Sequence, residues 1–143
     1  MSYAIHNATE WPLDRTAPYM SSILAEMGRL AKRFPKDTTT AALFQEFLSG
    51  KKTLWLVLDG EIFVAIAMTH IRTIDATGTR IFTLCDLAGR DVAKFSDLLT
   101  ETLEAAAAAN NCGEIAIEGR TGWQRMVKKY GYRPHAILLR KSR

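Results

Sequence analysis

Cysteine is nearly absent from this chain, with only Cys85 and Cys112 among 143 residues. Two thiols cannot build the disulfide framework of a small secreted domain or a four-ligand zinc site. A reducing cytoplasm is therefore the expected location. Long apolar runs are missing too. The longest uncharged apolar stretch is Ile62–Met68, far short of the ~20 residues a membrane helix needs. Met1–Glu10 contains no apolar run, so no secretory signal is expected. His6, His70 and His135 are scattered without metal-ligand spacing, so no metal is expected. No internal repeat and no linker divides the chain, and one domain over 1–143 is expected. Acid is absent from the end of the chain. Residues 1–119 carry 11 basic and 15 acidic groups, whereas residues 120–143 carry eight basic groups and no acid. Such asymmetry is either a solvated basic face or the footprint of an anionic partner: a phosphate-bearing ligand, nucleic acid or an acidic protein.

What is present is ordinary globular material. Apolar residues make up 48% and charged residues 24%, close to the soluble norm. Tyr3–His6 reads as a first strand. The apolar positions Ile23, Met27, Leu30 and Phe34 recur at helical spacing and predict a helix over Ala17–Phe34, with Pro18 in its first turn and Pro35 as its stop. Leu43, Phe44, Phe47 and Leu48 predict a second helix over Thr39–Leu48, ended by Gly50. The pattern then changes to strands at Thr53–Leu58, Ile62–Ile74 and Thr79–Leu87, with turns at Asp59-Gly60 and Gly78. Asp91 is expected to cap a long helix reaching Asn110, its apolar stripe running from Val92 and Phe95 to Leu103 and Ala106. A short strand over Glu114–Glu118, a helix over Thr121–Tyr130 stopped by Gly131, and a last strand over Ala136–Lys141 complete the chain. Strands Thr79–Leu87 and Glu114–Glu118, joined by a helix, are expected to be parallel neighbours through a right-handed crossover.

This α/β order, β-α-α-β-β-β-α-β-α-β, resembles the GNAT family of acetyl-CoA-dependent N-acetyltransferases, whose central, mostly antiparallel mixed sheet is flanked by helices. The resemblance covers nearly the whole chain as element order. It is strongest in the segment EIAIEGRTGWQRMVKKYGYRPHAILLRK, which looks like the family's terminal unit with Gly131-Tyr132 as its Gly-aromatic pair. TLCDLAGRDVAKF sits where the acetyl-CoA loop belongs. More narrowly, LAGRD followed by EGRTGW resembles phage and prophage proteins with a degenerate GNAT-like fold.

The resemblance implies a cofactor and a site. Splayed fourth and fifth strands would let the backbone at Leu84, Cys85 and Leu87 pair with the pantetheine arm of acetyl-CoA. Gly89 and Arg90 would approach the pyrophosphate at a helix N-terminus, and Arg120 stands where the family often has Asn. Asp86 or His70 would accept the amine's proton. The chain also departs from the family. The loop Ala88-Gly89-Arg90-Asp91-Val92-Ala93 keeps one glycine but not the family spacing, and an Asp91 cap would occupy the N–H groups a phosphate would use. Val127 stands where the family's proton-donating tyrosine is expected, four residues before Gly131.

The remaining candidates each carry a plainer reading. Cys85 is an acyl-carrying nucleophile or a buried free thiol, and no histidine lies beside it in sequence to activate it. Asp86 is a base or the partner of a basic residue. Trp123 anchors a helix on the core, between Gly119 and Gly122, which bracket a tight turn. Arg125, Lys128 and Lys129 would form a basic face able to touch nucleic acid or protein, and exposed strand edges would permit a homodimer. Two functions stay open: acetyl transfer from acetyl-CoA to an amine, or a non-catalytic GNAT-like protein of a virion or an interaction module.

Overall fold

The unbroken apolar run Ile62–Met68 belongs to a strand buried on both faces, which is why it lacks the polar alternation of a half-exposed strand. In the computed structural model, which describes residues 2–120 and 122–143, that strand is β3 (Ile62–Thr73) at the centre of a five-stranded sheet. Around it lie β1 (Tyr3–Asn7), β2 (Thr53–Asp59), β4 (Arg80–Gly89) and β5 (Glu114–Ile117), in the spatial order β1-β2-β3-β4-β5. The first four strands form an antiparallel meander, and β5 pairs parallel to β4. Gly60, at φ +61°, turns the β2–β3 hairpin in a conformation that a side chain would penalise.

Among the described residues, five α-helices accompany the sheet: α1 (Leu13–Thr16), α2 (Met20–Arg33), α3 (Thr40–Leu48), α4 (Val92–Ala109) and α5 (Trp123–Lys128). Pro18 lies in a 3-10 turn that precedes α2, so the α-helix begins at Met20 rather than Ala17. Thr39 caps α3, its hydroxyl accepting from the Ala42 N–H at 3.0 Å. α4 supplies the crossover between the parallel strands β4 and β5, as the connection rule requires.

Two cores result. Ile23, Met27 and Leu30 of α2 pack with Leu43 and Phe47 of α3 against Leu54, Leu56, Ile66 and Met68. On the opposite face Phe95, Leu99, Leu103 and Ala107 of α4 pack against Ala65, Ala67, Phe82 and Leu84. Trp123 packs against this second core, and a Cβ at Gly119 would lie 3.6 Å from its indole. Tyr130 donates its hydroxyl hydrogen to Asp97 and so ties the end of α5 to α4.

Two expectations need correction or qualification. Ala136–Lys141 forms no strand; the chain runs irregularly there, with Ile137, Leu138 and Leu139 between 80% and 87% exposed. Apolar composition permits extended backbone, but a strand exists only with a ladder partner. The tail instead reaches the α2–α3 turn, where Arg140 pairs with Asp37 and Lys36 donates to Ser142 at 2.6 Å. The helix expected from Thr121 begins at Trp123, and Thr121 itself lies outside the described residues. Among the described residues, no helix is long and apolar enough to cross a membrane, and no cluster of three or more His, Cys, Asp or Glu could hold a metal ion.

Candidate active-site cleft

The site begins where β5 runs out. β4 and β5 pair only from Ile81↔Glu114 to Leu84↔Ile117, and the Glu118 N–H makes a last bond to the Leu84 carbonyl at 3.0 Å. β4 continues to Gly89, still paired with β3. Among the described residues, the edge of β4 beyond Leu84 that would face β5 has no strand partner. Sheet-edge N–H and C=O groups of this kind are ready to pair with an extended ligand.

A small open cleft lies at this edge, where β5 ends. Its walls are Leu84, Cys85, Asp86 and Leu87 of β4; Leu30, Arg33 and Phe34 from the end of α2; and Glu118, Gly119, Arg120 and Trp123 after β5. Of the residues expected to meet acetyl-CoA, Leu84, Cys85, Leu87 and Arg120 line the cleft. Gly89 and Arg90 lie beyond it, at the start of α4. Arg33, Phe34 and Glu118 went unpredicted, because no local motif marks the end of a helix that docks at a sheet edge.

A bulge shapes the inner wall. Met68 pairs with Asp86 but Thr69 pairs with Leu84, so Cys85 is an extra residue without a cross-strand partner. The bulge brings Cys85 Sγ to 2.7 Å from His70 Nδ1. Asp86 accepts from Lys52 Nζ at 3.0 Å, and the same ammonium lies 3.4 Å from Glu46. Asp86 thus has the basic partner that its plainer reading anticipated. The partner lies just before β2, 34 residues away in sequence.

Burial pushes the Cys85 thiol up to about 12; Lys52 pulls the other way, while Asp86, Glu118 and Glu46 add to the rise. For Lys52, burial is the largest effect and favours the neutral amine, but Asp86, Cys85 and Glu46 together outweigh it and the net shift is upward. Both groups hold their protons more tightly in the folded chain than in the unfolded one. The resulting stabilisation is complete below the ordinary thiol value of 9.0 and is lost as pH climbs towards about 12. Urea midpoints measured from about pH 8 to about pH 11 should therefore fall, and Cys85→Ala should flatten that slope.

The start of α4 differs from expectation. Asp91 adopts the left-handed region at φ 59° and its side chain makes no capping hydrogen bond. Its carboxylate instead accepts from the Tyr3 hydroxyl at 3.4 Å and lies 3.7 Å from Arg90 and 3.8 Å from Lys94. The Asp-before-helix pattern predicted a cap, but a side chain rotated by left-handed backbone cannot reach back to the N–H groups of the first turn. Those N–H groups are not occupied by Asp91, and the two cations offset its charge. Gly89, at φ +150°, permits the close approach of β4 to β3: a Cβ there would lie 2.4 Å from Ala65 Cβ and 2.5 Å from Val64 O.

No protein-family model matches the chain, and no curated protein is similar to it in sequence. Solved structures are similar in shape over nearly all of it. A transcriptional regulator from Bacillus halodurans superposes with a TM-score of 0.73 at 15% identity, covering 99% of both chains. An aminoglycoside acetyltransferase from an uncultured soil metagenomic sample superposes at 0.70 and 17% identity, again over 99% of both chains. A predicted acetyltransferase from Clostridium acetobutylicum, solved with acetyl-CoA, superposes at 0.65 and 12% identity over 99% of this chain and 95% of its own. At these identities the likeness establishes architecture, and the architecture is the GNAT acetyltransferase fold.

Proposed function

We propose that this protein transfers an acetyl group from acetyl-CoA to an amine. The observation that carries the reading is the end of β5 opposite Leu84 while β4 runs on to Gly89, with a cleft lined by the exposed stretch of β4. Backbone groups of β4 beyond Leu84, on the edge turned away from β3, would hold the pantetheine arm as an added half-strand. At the far end the first turn of α4, free of an Asp91 cap and flanked by Arg90 and Lys94, suits the pyrophosphate. Acetyl-CoA supplies an activated acyl group, and the chain's own work is to align it and to move protons. His70, beside the cleft wall, is available as a base for the incoming amine. Asp86, engaged by Lys52, serves better to hold that ammonium than to take a proton.

The narrower kinship with phage and prophage proteins rests on LAGRD and EGRTGW. One observation favours a non-catalytic role within that kinship: Val127 offers no proton where the family's tyrosine is expected. Calorimetric titration with acetyl-CoA separates the two. The expected result is micromolar binding, weakened about tenfold by Arg90→Ala, the worth of one charge-assisted hydrogen bond. Absence of heat and of any thermal shift at millimolar acetyl-CoA would overturn the enzymatic reading.

A further inference from the structure

We propose that Cys85, paired with His70, carries the acetyl group as a thioester, so that transfer proceeds in two half-reactions rather than directly from acetyl-CoA to the amine. The inference rests on the acetyl-CoA reading above and specifies its chemistry. Three observations converge on it. Cys85 lines the cleft at the point where β5 leaves β4, between Leu84 and Asp86, which line it too. The β4 bulge turns its thiol onto His70, 15 residues away in sequence, with Sγ and Nδ1 2.7 Å apart. Val127 leaves the position of the usual proton donor without an acid.

The chemistry is balanced within the cleft. The thiol hydrogen has two acceptors within reach, His70 Nδ1 at 2.7 Å and the Thr83 carbonyl at 3.6 Å; the proposed route runs through the His70 tautomer that carries its hydrogen on Nε2, in which Sγ donates to Nδ1. In the first half-reaction Sγ attacks the acetyl carbonyl carbon while Nδ1 takes the thiol proton. The new Sγ–C bond forms, the C–S bond to CoA breaks, and the imidazolium returns its proton to the departing CoA sulphur. One thioester replaces another, so no oxidant, reductant or second activated group is needed. In the second half-reaction the neutral amine attacks the acetyl-cysteine. The N–C bond forms, the Sγ–C bond breaks, and the proton lost by nitrogen returns to Sγ through His70. The Lys52 ammonium, held by Asp86 and Glu46, favours negative charge developing on Sγ, which those carboxylates and Glu118 oppose. His70 therefore supplies the donor that Val127 cannot.

A two-step route predicts a reaction with no acceptor present: exchange of label between acetyl-CoA and free isotopically labelled CoA. Direct transfer gives none. The purified chain should catalyse this exchange and accumulate one acetyl group per chain, released by neutral hydroxylamine and mapped to Cys85 by peptide mass spectrometry. Cys85→Ala and Cys85→Ser should both abolish exchange while still binding acetyl-CoA in calorimetry. His70→Asn should slow exchange by about 100-fold or more, the contribution of a general acid–base. Cys112→Ser should exchange as the unaltered chain does. Binding of acetyl-CoA without exchange, exchange that survives Cys85→Ala, or label on Cys112 would each overturn the covalent route while leaving the acetyl-CoA reading standing. Failure to bind acetyl-CoA at all would overturn both. Because the unaltered chain provides the primary readout, a variant that fails to fold does not remove the test.

Discussion

Gly89→Ala should destabilise the protein by about 2–6 kcal/mol, combining overpacking of a tight contact with a strained backbone region. The added Cβ would meet Ala65 Cβ at 2.4 Å and, at 2.5 Å each, Ala65 Cα and Val64 O. Two of these three atoms are backbone and cannot rotate aside. The substitution must therefore push the end of β4 away from β3, in the stretch where Ala65 pairs with Gly89 and the Arg90 N–H bonds to the Val64 carbonyl at 3.2 Å. That movement carries the start of α4 with it. Urea unfolding should report the loss, and acetyl-CoA affinity should fall even in the fraction that stays folded. A variant with unchanged stability and unchanged affinity would mean that this corner relaxes freely, and that its geometry does not set the position of the helix start.

Phe95→Ala should cost about 3–5 kcal/mol, the range for deleting a buried aromatic side chain. Phe95 is 1% exposed and among the largest fully buried side chains of the protein. It sits one turn into α4, packs in the core against the sheet, and meets the Tyr3 ring at a centroid distance of 5.9 Å. Tyr3 in turn donates to Asp91. The cavity would thus open directly beneath the turn proposed to receive the pyrophosphate. Phe95→Leu keeps most of the volume and should cost under about 1.5 kcal/mol. If both variants unfold at the same urea concentration, volume at this position does not hold α4 to the sheet.

Both predictions concern the corner where β4 hands over to α4, and this corner marks the boundary of what could be read locally. The helix itself was plain: Phe95, Leu99 and Leu103 repeat at helical spacing and do face the sheet. Its first residue was not. An Asp ahead of a periodic apolar run signals a cap, because most such residues adopt extended backbone. Here Asp91 lies two residues after Gly89, which packs onto β3, and its backbone is left-handed at φ 59°, a conformation the local pattern does not announce. The tail shows the same limit. Ile137, Leu138 and Leu139 have strand-like character, but the pairing partner needed to make a strand is a property of the folded sheet.

The elements from β2 to β5 and their connections were contained in local chemistry. Periodicities of two and of 3.6, a glycine turn at Gly60, and a strand–helix–strand unit with only one favoured hand were enough for the meander and the parallel crossover. The site was not contained there. Cys85 and His70 lie 15 residues apart, Lys52 and Asp86 34 residues apart, and neither spacing carries a signal. What joins them is a single-residue bulge that shifts the β3–β4 register between Met68 and Thr69, and the early end of β5 at Ile117. An alternating pattern reports which face a side chain occupies, but not where one extra residue slips into the ladder. Only packing of the whole sheet against α2, α3 and α4 decides that slip, and with it which thiol meets which imidazole.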